Sequence, residues 1–392
     1  MSSELILVIN SGSASLKFGL CTEINGQEHF HLSGLADGIG LRSGKIELRD
    51  AQGFILRSGS GVFASQGDAL EQATQWLNEF SYNKPTAVGH RVVHGGPALL
   101  SHQRITPAVL TQLRACVHFA PLHIPVALEL IEKAREAFPD IPHLACFDTV
   151  FHSTLPETAA RFALPSSLFD EGIRRYGFHG LSYESIVHQL APSLPGRMVI
   201  AHLGNGASLA ALKDGRSIDT TMGLTPTGGI PMATRSGDLD PGVILYLLRT
   251  KHLTVKNLET LLNENSGLNA LSGGTHDMRD LLARANSGDL SAQVAIDIFC
   301  TSIRKMIAAY TAVLGGLDML IFTGGVGEHS AEIRSRICKN LDFLGASVHE
   351  PANQRGDKKI STANGQVGIF VVNSQEDLEI ARHCRAMLRD LA

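Results

Sequence analysis

The chain has 392 residues, a formal net charge of −4, 44% hydrophobic and 18% charged residues, the balance of an ordinary globular protein and not of a disordered one. No Lys- or Arg-dense tract offsets that charge, which excludes a general nucleic-acid binder, and no apolar run approaches the ~20 residues of a membrane span. The length exceeds what one core usually organises, so two domains are expected, and alternating strand and helix signals make the chain an α/β protein.

The first element is an apolar run, Leu5-Ile6-Leu7-Val8-Ile9, that stops at Asn10-Ser11-Gly12-Ser13-Ala14-Ser15-Leu16-Lys17-Phe18. It reads as a buried strand entering a tight turn. Acidic Glu4 before so short a run makes it neither a signal nor a transit peptide. A Gly/Ser turn can aim backbone N–H groups and hydroxyls at one anion, with Lys17 adding a mobile positive charge. Asn10 supplies a neutral oxygen suited to a hydrated metal. Turns of this kind also serve as plain connectors, and the motif alone does not separate the two roles.

Gly89-His90-Arg91-Val92-Val93-His94 then puts an arginine in a strand-like segment. Pro125–Phe138 predicts a helix, with Pro at its first position and apolar residues at helical spacing. Ala145-Cys146-Phe147-Asp148-Thr149-Val150 ends a second strand-like run with a carboxylate, and Pro, Gly and polar residues cluster over Leu155–Gly172, a candidate domain junction. Met198–Leu203 is a further strand, and His202-Leu203-Gly204-Asn205-Gly206-Ala207-Ser208 carries glycines at alternate positions. That spacing permits close backbone approach to an anion, or simply a hairpin turn. Thr234-Arg235-Ser236-Gly237-Asp238 sets another arginine beside a turn.

Ser291–Leu314 is the longest helical pattern, with Gly315-Gly316 as its stop. The strand-like run Leu317–Thr323 leads into a third loop, Phe322-Thr323-Gly324-Gly325-Val326-Gly327-Glu328-His329, ahead of a helical pattern containing Ile333 and Ile337. Three glycines in four residues suit backbone passing a flat ligand such as a purine, or helix–strand packing. The loop is neither a P-loop nor a dinucleotide fingerprint.

Val8–Leu20 (VINSGSASLKFGL) is echoed by Ala201–Lys213 (AHLGNGASLAALK). Both run strand, Gly-containing turn, Ala-Ser-Leu and second strand, so each would open one half with a hairpin. Two similar halves would place phosphate loops on both walls of a cleft. A lone Arg–Asp pair is usually structural. Arg91, Arg235, Asp148 and three Gly-rich loops together suit phosphoryl transfer, where Mg²⁺ and positive side chains neutralise oxygens. The six scattered cysteines, with no Cys-x-x-Cys pair, fit buried reduced thiols in a cytoplasmic enzyme. The seventeen histidines include no His-Glu-x-x-His and are expected to be mostly structural.

From Leu5 to about Arg382 the chain resembles the acetate kinase family, within the superfamily of acetate and sugar kinases, Hsp70 and actin. The motifs that carry the resemblance are NSGSASLKF at 10–18, GHRVVHGG at 89–96, APLHIP at 120–125, FDTVFH at 147–152, RRYGFHG at 174–180 and HLGNGAS at 202–208. They continue with DTTMGLTPTGG at 219–229, TRSGDLDPG at 234–242, HDMRD at 276–280, FTGGVGE at 322–328 and SQED at 374–377.

The resemblance implies two duplicated RNase H-like domains of the actin/Hsp70 type with an interdomain nucleotide cleft. Residues 1–150, joined by a C-terminal helix at about 380–392, would form the first, and 151–379 the second, nucleotide-binding one. Asn10 and Glu376 would hold Mg²⁺, with Mn²⁺ as an alternative ion, in an all-oxygen site. Lys17 and the loop His202, Leu203, Gly204, Asn205, Gly206 would grip the phosphates of ATP or ADP. Asp277, Met278, Arg279 and Gly325, Val326, Gly327, Glu328, His329 would line the adenosine. Arg91 would bind the substrate carboxylate, Arg235 and His179 the transferring phosphoryl group, and His123 its path. Asp148 would be the catalytic carboxylate. An acid of pKa ~4–5 is already ionised at pH 7, so Asp148 is expected to position magnesium or water instead of accepting a proton.

Val93, Leu122, Phe178 and Pro226 would form an apolar pocket for the acetate methyl. Val93 is bulkier than the alanine expected in a propionate-preferring relative, so acetate is expected over propionate or a broader range of short carboxylates. The family also implies a homodimer. Ile124, His329 and His276 depart from the family pattern, the first beside His123 and the others near the adenosine. An ATP-driven switch like actin would not need Arg91 or an apolar pocket. A carbohydrate kinase would need a base and a polar pocket.

Overall fold

In the computed structural model, residues 4–12, 14–81 and 84–390 are described. Ser13 of the first turn and Leu391–Ala392 of the last expected helix lie outside them. The chain divides into two compact units. The first comprises residues 1–150, 180–185 and 375–392, the second 151–179 and 186–374.

In the first unit, β1 (Ile6–Ser11), β2 (Ser15–Ile24), β3 (Gln27–Asp37), β4 (Gly44–Asp50), β5 (Ile55–Gly61), β6 (Ala87–Val92), β7 (Gln103–Arg104) and β8 (His143–Phe147) form one sheet. Their order is β5-β4-β3-β2-β1-β6-β8-β7. β1 pairs antiparallel with β2 and parallel with β6, which is parallel to β8. The expected strand is apolar throughout because both of its faces are covered. Leu7 and Ile9 pack with Leu70, Ala73 and Leu77 of the helix Gln66–Phe80. Ile6 and Val8 point the other way, onto Ile380, Ala381 and Cys384 of the helix Glu376–Arg389.

Gly89 allows that second contact. A Cβ there would lie 2.5 Å from Cys384 Sγ and 2.7 Å from Ile380 Cγ2. The helix Gln66–Phe80 starts at a capping box, Ser65 with Asp68. The helix expected over Pro125–Phe138 runs Ile124–Ala137 with its proline in the first turn.

In the second unit, β9 (Arg197–Leu203), β10 (Ala207–Lys213), β11 (Arg216–Thr220), β12 (Met319–Thr323) and β13 (Gly368–Val371) order as β11-β10-β9-β12-β13. This repeats β3-β2-β1-β6-β8: an antiparallel meander followed by two strands parallel to its first member. The echo at 8–20 and 201–213 is therefore structural, the two stretches lying in the β1–β2 and β9–β10 hairpins. The helix Leu290–Leu314 packs on β9 and β10. It stops at Gly315 in the left-handed region (φ 70), where the N–H of Gly316 returns to the Thr311 carbonyl at 2.9 Å.

Two expectations change, the junction at 155–172 and the open loop at 324–329. The Pro/Gly-rich stretch 155–172 lies inside the second unit, and the chain leaves the first unit after Val150. It returns at Gln375, just ahead of the final helix Glu376–Arg389. The third Gly-rich stretch is not an open loop, since Gly324–His329 is a short helix, followed by the helix Ala331–Cys338. Gly324 turns the chain (φ 76), and its N–H is received at 2.9 Å by the Glu328 carboxylate, closing the first helical turn. Among the described residues, no helix is long and apolar enough to cross a membrane.

Candidate active site

β6 and β8 run parallel side by side, with Arg91 beside Cys146 in register and Asp148 just past the end of β8. Arg91 Nε donates to both Asp148 oxygens at 3.0 and 3.1 Å, and Nη2 donates to Oδ2 at 2.6 Å. Nη1 donates to Asn10 Oδ1 at 3.1 Å and stands 3.8 Å from Glu376 Oε2. The amide of Asn10 in turn donates to Asp377 Oδ1 at 2.5 Å and Glu376 Oε2 at 3.3 Å. Asn10, Arg91, Asp148 and Glu376 are thus brought together, and Asp377, which sequence reasoning left out, joins them. Its signal was its place beside Glu376 in the first turn of a helix.

Asp148 is 1% exposed. Burial and the charge of Glu376 raise its pKa, with Arg91 opposing. Burial likewise disfavours the charged Arg91, but Asp148 and Glu376 outweigh it and hold the guanidinium above its ordinary value. Three hydrogen bonds between opposite charges join the pair and favour its ionised form. Burial also raises Asp377, against the opposing charge of Lys17. Lys17 is exposed on β2, opposite Asn10 in register.

Three carboxylates face one guanidinium here, with Lys17 alongside, so negative charge is in excess. An all-oxygen donor set with that excess fits a hard divalent cation. Asn10 presently gives its oxygen to Arg91, so its amide must turn over to serve as a direct ligand.

The second unit carries a set of its own. β9 and β12 are parallel neighbours, and their C-terminal ends carry the 204–206 turn and the 324–329 helix. A Cβ on Gly204 would lie 4.0 Å from the Gly325 nitrogen, so the two turns adjoin where open parallel sheets bind ligands. His179 is 9% exposed, shares a 2.8 Å hydrogen bond with Ser208 Oγ through Nδ1, and stacks on His202 at 4.3 Å. A Cβ on Gly206 would be 3.1 Å from His179 Nε2 and 3.6 Å from Arg235 Nη1. Gly206 is therefore where His179 and Arg235 converge. Arg235 Nη1 also donates to the Pro226 carbonyl at 3.2 Å.

Other expected residues are placed differently. Phe178 is 1% exposed and supports its segment instead of forming an open wall, whereas Leu122 is 45% exposed and Val93 half-buried. Glu328 points inward, its Oε1 receiving the N–H groups of Gly324 and Ser374 at 2.9 and 3.0 Å. This leaves Gly325, Val326 and His329 as the accessible part of that stretch. Leu203, Gly327 and Met278 are buried, and Asn205 is exposed. Asp277 caps the helix Met278–Asn286 and pairs with Arg279 at 2.5 Å, a bond that lowers its pKa to about 2. His123 precedes the helix Ile124–Ala137, and Ile124 is buried at 1%.

His179 takes a left-handed backbone (φ 58, ψ 24) at the start of the helix Gly180–Leu190, a conformation that costs a non-glycine residue about 1–2 kcal/mol. The carbonyl before it, on Phe178, is held at 3.0 Å by His152 Nε2, while Nδ1 of that ring meets Ser217 Oγ at 2.8 Å. Burial lowers the His152 pKa to about 4.

An unfolded histidine takes up a proton near pH 6.5, which folded His152 refuses until about pH 4. Its contribution is therefore complete above 6.5 and is lost as pH falls toward 4, by up to roughly 3 kcal/mol. Burial of His90 and His143 acts in the same direction. Urea unfolding should show a midpoint that drops between neutral pH and about pH 5, and His152→Gln should flatten that slope.

His102, Glu184 and His383 bring ligand-type atoms within 4.8 Å of one another. His102 Nδ1 accepts the Phe147 N–H at 3.0 Å, so in the neutral ring the proton sits on Nε2, the atom a metal would need. Glu184 Oε2 meets His383 Nε2 at 2.9 Å and stands 4.0 Å from His102 Nε2, which has no hydrogen-bond partner of its own among the described residues. Burial opposes its charge, but His102 and His383 hold its pKa well below the carboxylate range.

Residues 5–382 match the model of the acetokinase family. The chain is 42% identical to an acetate kinase of Rhodopseudomonas palustris, over 97% of this chain and 98% of that one. It is 41% identical to a propionate kinase of Citrobacter rodentium, over 97% and 96%. Among solved structures, it resembles an acetate kinase of Porphyromonas gingivalis with TM-score 0.86 and 33% identity, covering 98% of this chain and 100% of that one. A propionate kinase of Francisella tularensis gives 0.89 and 36%, covering 97% and 98%. With these relatives the chain shares the duplicated fold of the actin/Hsp70 type, and it belongs to the acetokinase family.

Proposed function

We propose that the chain catalyses reversible, Mg²⁺-dependent transfer of the γ-phosphoryl group of ATP to acetate, giving acetyl phosphate and ADP. The observation that carries this reading is the cluster in which buried Asn10 and Asp148 and half-buried Glu376 and Asp377 surround Arg91. An ionised carboxylate needs no base to attack phosphorus. It needs relief from repulsion by the polyphosphate, about 4 kcal/mol per unit pair at 4 Å and an effective dielectric near 20.

Arg91 supplies part of that relief. Its bonds to Asp148 and Asn10 use three of the five N–H donors of a guanidinium, leaving one on each terminal nitrogen for the substrate carboxylate. Asp148 fixes the guanidinium plane and stays an anion. Asn10, Glu376 and Asp377 would hold Mg²⁺, which when bound neutralises phosphate oxygens. Lys17 and the 202–206 turn contact the phosphates. Gly325, Val326 and His329, with Asp277–Arg279, flank the adenosine. His179 and Arg235, meeting at Gly206, stabilise the phosphoryl group in flight, with His123 on its path.

The test is to incubate the protein with Mg-ATP and acetate, propionate or butyrate and to trap acyl phosphate with hydroxylamine. Hydroxamate from acetate with the highest efficiency is expected. No trappable product from any short carboxylate sinks the reading.

Specificity rests on Val93 with Leu122 and Pro226. A methylene is worth about 1–3 kcal/mol in such discrimination. Val93→Ala is therefore expected to raise the propionate-to-acetate ratio of kcat/KM roughly 10-fold or more, read in the same assay.

The homodimer of this proposal is supported by the helix Pro241–Arg249, none of whose residues is buried. Val243, Leu245 and Tyr246 are 41, 46 and 51% exposed, an apolar face that a second copy would cover. Leu245→Glu with Tyr246→Glu should halve the mass seen by light scattering. Six buried free cysteines support a reducing, cytoplasmic location.

A further inference from the structure

We propose that His152 is a positioning residue, whose Nε2–H holds the Phe178 carbonyl and thereby keeps His179 in the left-handed conformation that aims its ring at Gly206. The inference rests on the phosphoryl-stabilising role proposed for His179 and extends it to a residue that touches no reactant.

The hydrogen bonds fix their own direction. A carbonyl only accepts, so the 3.0 Å contact with Phe178 O requires the proton on His152 Nε2. Nδ1 is then an acceptor and takes the hydroxyl proton of Ser217 at 2.8 Å. Ser217 is fully buried, and its own carbonyl receives Thr154 Oγ1 at 2.8 Å. His152 is 2% exposed, and burial keeps it neutral at working pH, so neither bond changes sense there. A neutral ring with both nitrogens engaged is a strut and has no proton to deliver.

What the strut holds is an unstable piece of backbone. Gly177 (φ 74) and His179 (φ 58) are both left-handed, with Phe178 between them. The peptide that bears the Phe178 carbonyl also supplies the His179 nitrogen, so rotating that plane changes the φ of His179 directly. Such a conformation in a residue with a side chain persists only where neighbours over-determine it. The His152 ring also closes the space next to Gly177, where a Cβ would lie 2.5 Å from Cδ2 and 2.6 Å from Cγ of that ring. If the peptide turned, the His179 imidazole would leave Ser208, its 4.3 Å stack on His202 and the edge of Gly206.

Two variants separate this role from simple packing. In His152→Gln the carboxamide nitrogen reaches the place of Nε2 and keeps a donor for Phe178. In His152→Asn the shorter amide can satisfy Ser217 but not Phe178. His152→Gln is expected to keep kcat within about 3-fold of wild type. His152→Asn should lose about 10²-fold in kcat, the scale of a 1 Å misplacement, with KM for acetate and ATP within about 2-fold. Equal losses in both variants, or an unchanged kcat in a folded His152→Asn protein, overturn the proposal.

A second readout does not depend on turnover. The ring ¹⁵N resonances of His179, assigned by their disappearance in His179→Gln, should be wild-type in His152→Gln and displaced in His152→Asn. Should His152→Asn not fold, Ser217→Ala, which removes the hydroxyl orienting the ring, should displace them in its place. Unmoved His179 resonances in the folded variant refute the strut. Absence of acyl phosphate from the wild-type protein would refute the proposed reaction and leave the spectra to decide the role of His152.

Discussion

Replacing Arg235 by alanine is expected to lower kcat about 10³-fold while leaving the thermal unfolding midpoint nearly unchanged. Arg235 is half-buried in a turn, and its Nη1 donates to the Pro226 carbonyl. The same nitrogen lies 3.6 Å from where a Cβ on Gly206 would be. Its guanidinium is fixed at the end of the 204–206 turn before any substrate arrives, so it need not reorganise as charge spreads over the phosphoryl oxygens. Arginines that meet a phosphoryl group in flight contribute 10³–10⁵ in rate in related chemistry, and the lower end is the comparison for one of several cationic groups here. Lysine should not rescue the loss, because a point charge does not reproduce a planar fork. Steady-state hydroxamate kinetics with Mg-ATP and acetate measure the effect. A loss below tenfold in a folded Arg235→Ala protein would remove Arg235 from the phosphoryl group.

Asp148→Ala should be damaging in a second way, by lowering stability as well as activity. The side chains of Arg91 and Asp148 are 14% and 1% exposed, and three hydrogen bonds join them. Removing one member of a buried pair leaves the other charge without its counter-ion, a loss of about 3–5 kcal/mol. Urea unfolding should show it as a lower midpoint at unchanged slope. The double variant Arg91→Met with Asp148→Leu takes both charges away and should regain much of the stability without regaining any turnover. That split would show that the pair is kept for substrate binding and not for the fold. If the double variant were as unstable as Asp148→Ala, the pair would have to be counted as structural.

The local sequence specified much of this molecule. An apolar run with no polar interruption announces a strand covered on both faces, as β1 is by Leu70, Ala73 and Leu77 on one side and Ile380, Ala381 and Cys384 on the other. The stop at Gly315 and the proline in the first turn of Ile124–Ala137 are backbone preferences of single residues, legible without any neighbour. The repeated hairpin at 8–20 and 201–213 announced the duplicated sheet for the same reason, since hairpins are built from contacts close in sequence. Arginines inside strand-like segments marked Arg91 as a charge with a task.

What remained for the tertiary structure was every choice made between distant groups. That the Arg91 guanidinium is already paired to Asp148, 57 positions away, and that Asn10 meets Asp377 across 367 positions, are consequences of sheet order and of the last helix returning to β6. The inward turn of Glu328 depends on the N–H of Ser374, 46 residues further on. The 324–329 stretch therefore became helix where its glycines alone suggested an open loop. His152 looked like one of many structural histidines until the fold set its Nε2 against the carbonyl ahead of His179. Propensity and periodicity are properties of neighbours along the chain. Hydrogen-bond partnership, burial and the resulting proton affinities depend on neighbours in space, and only the assembled sheets brought those together.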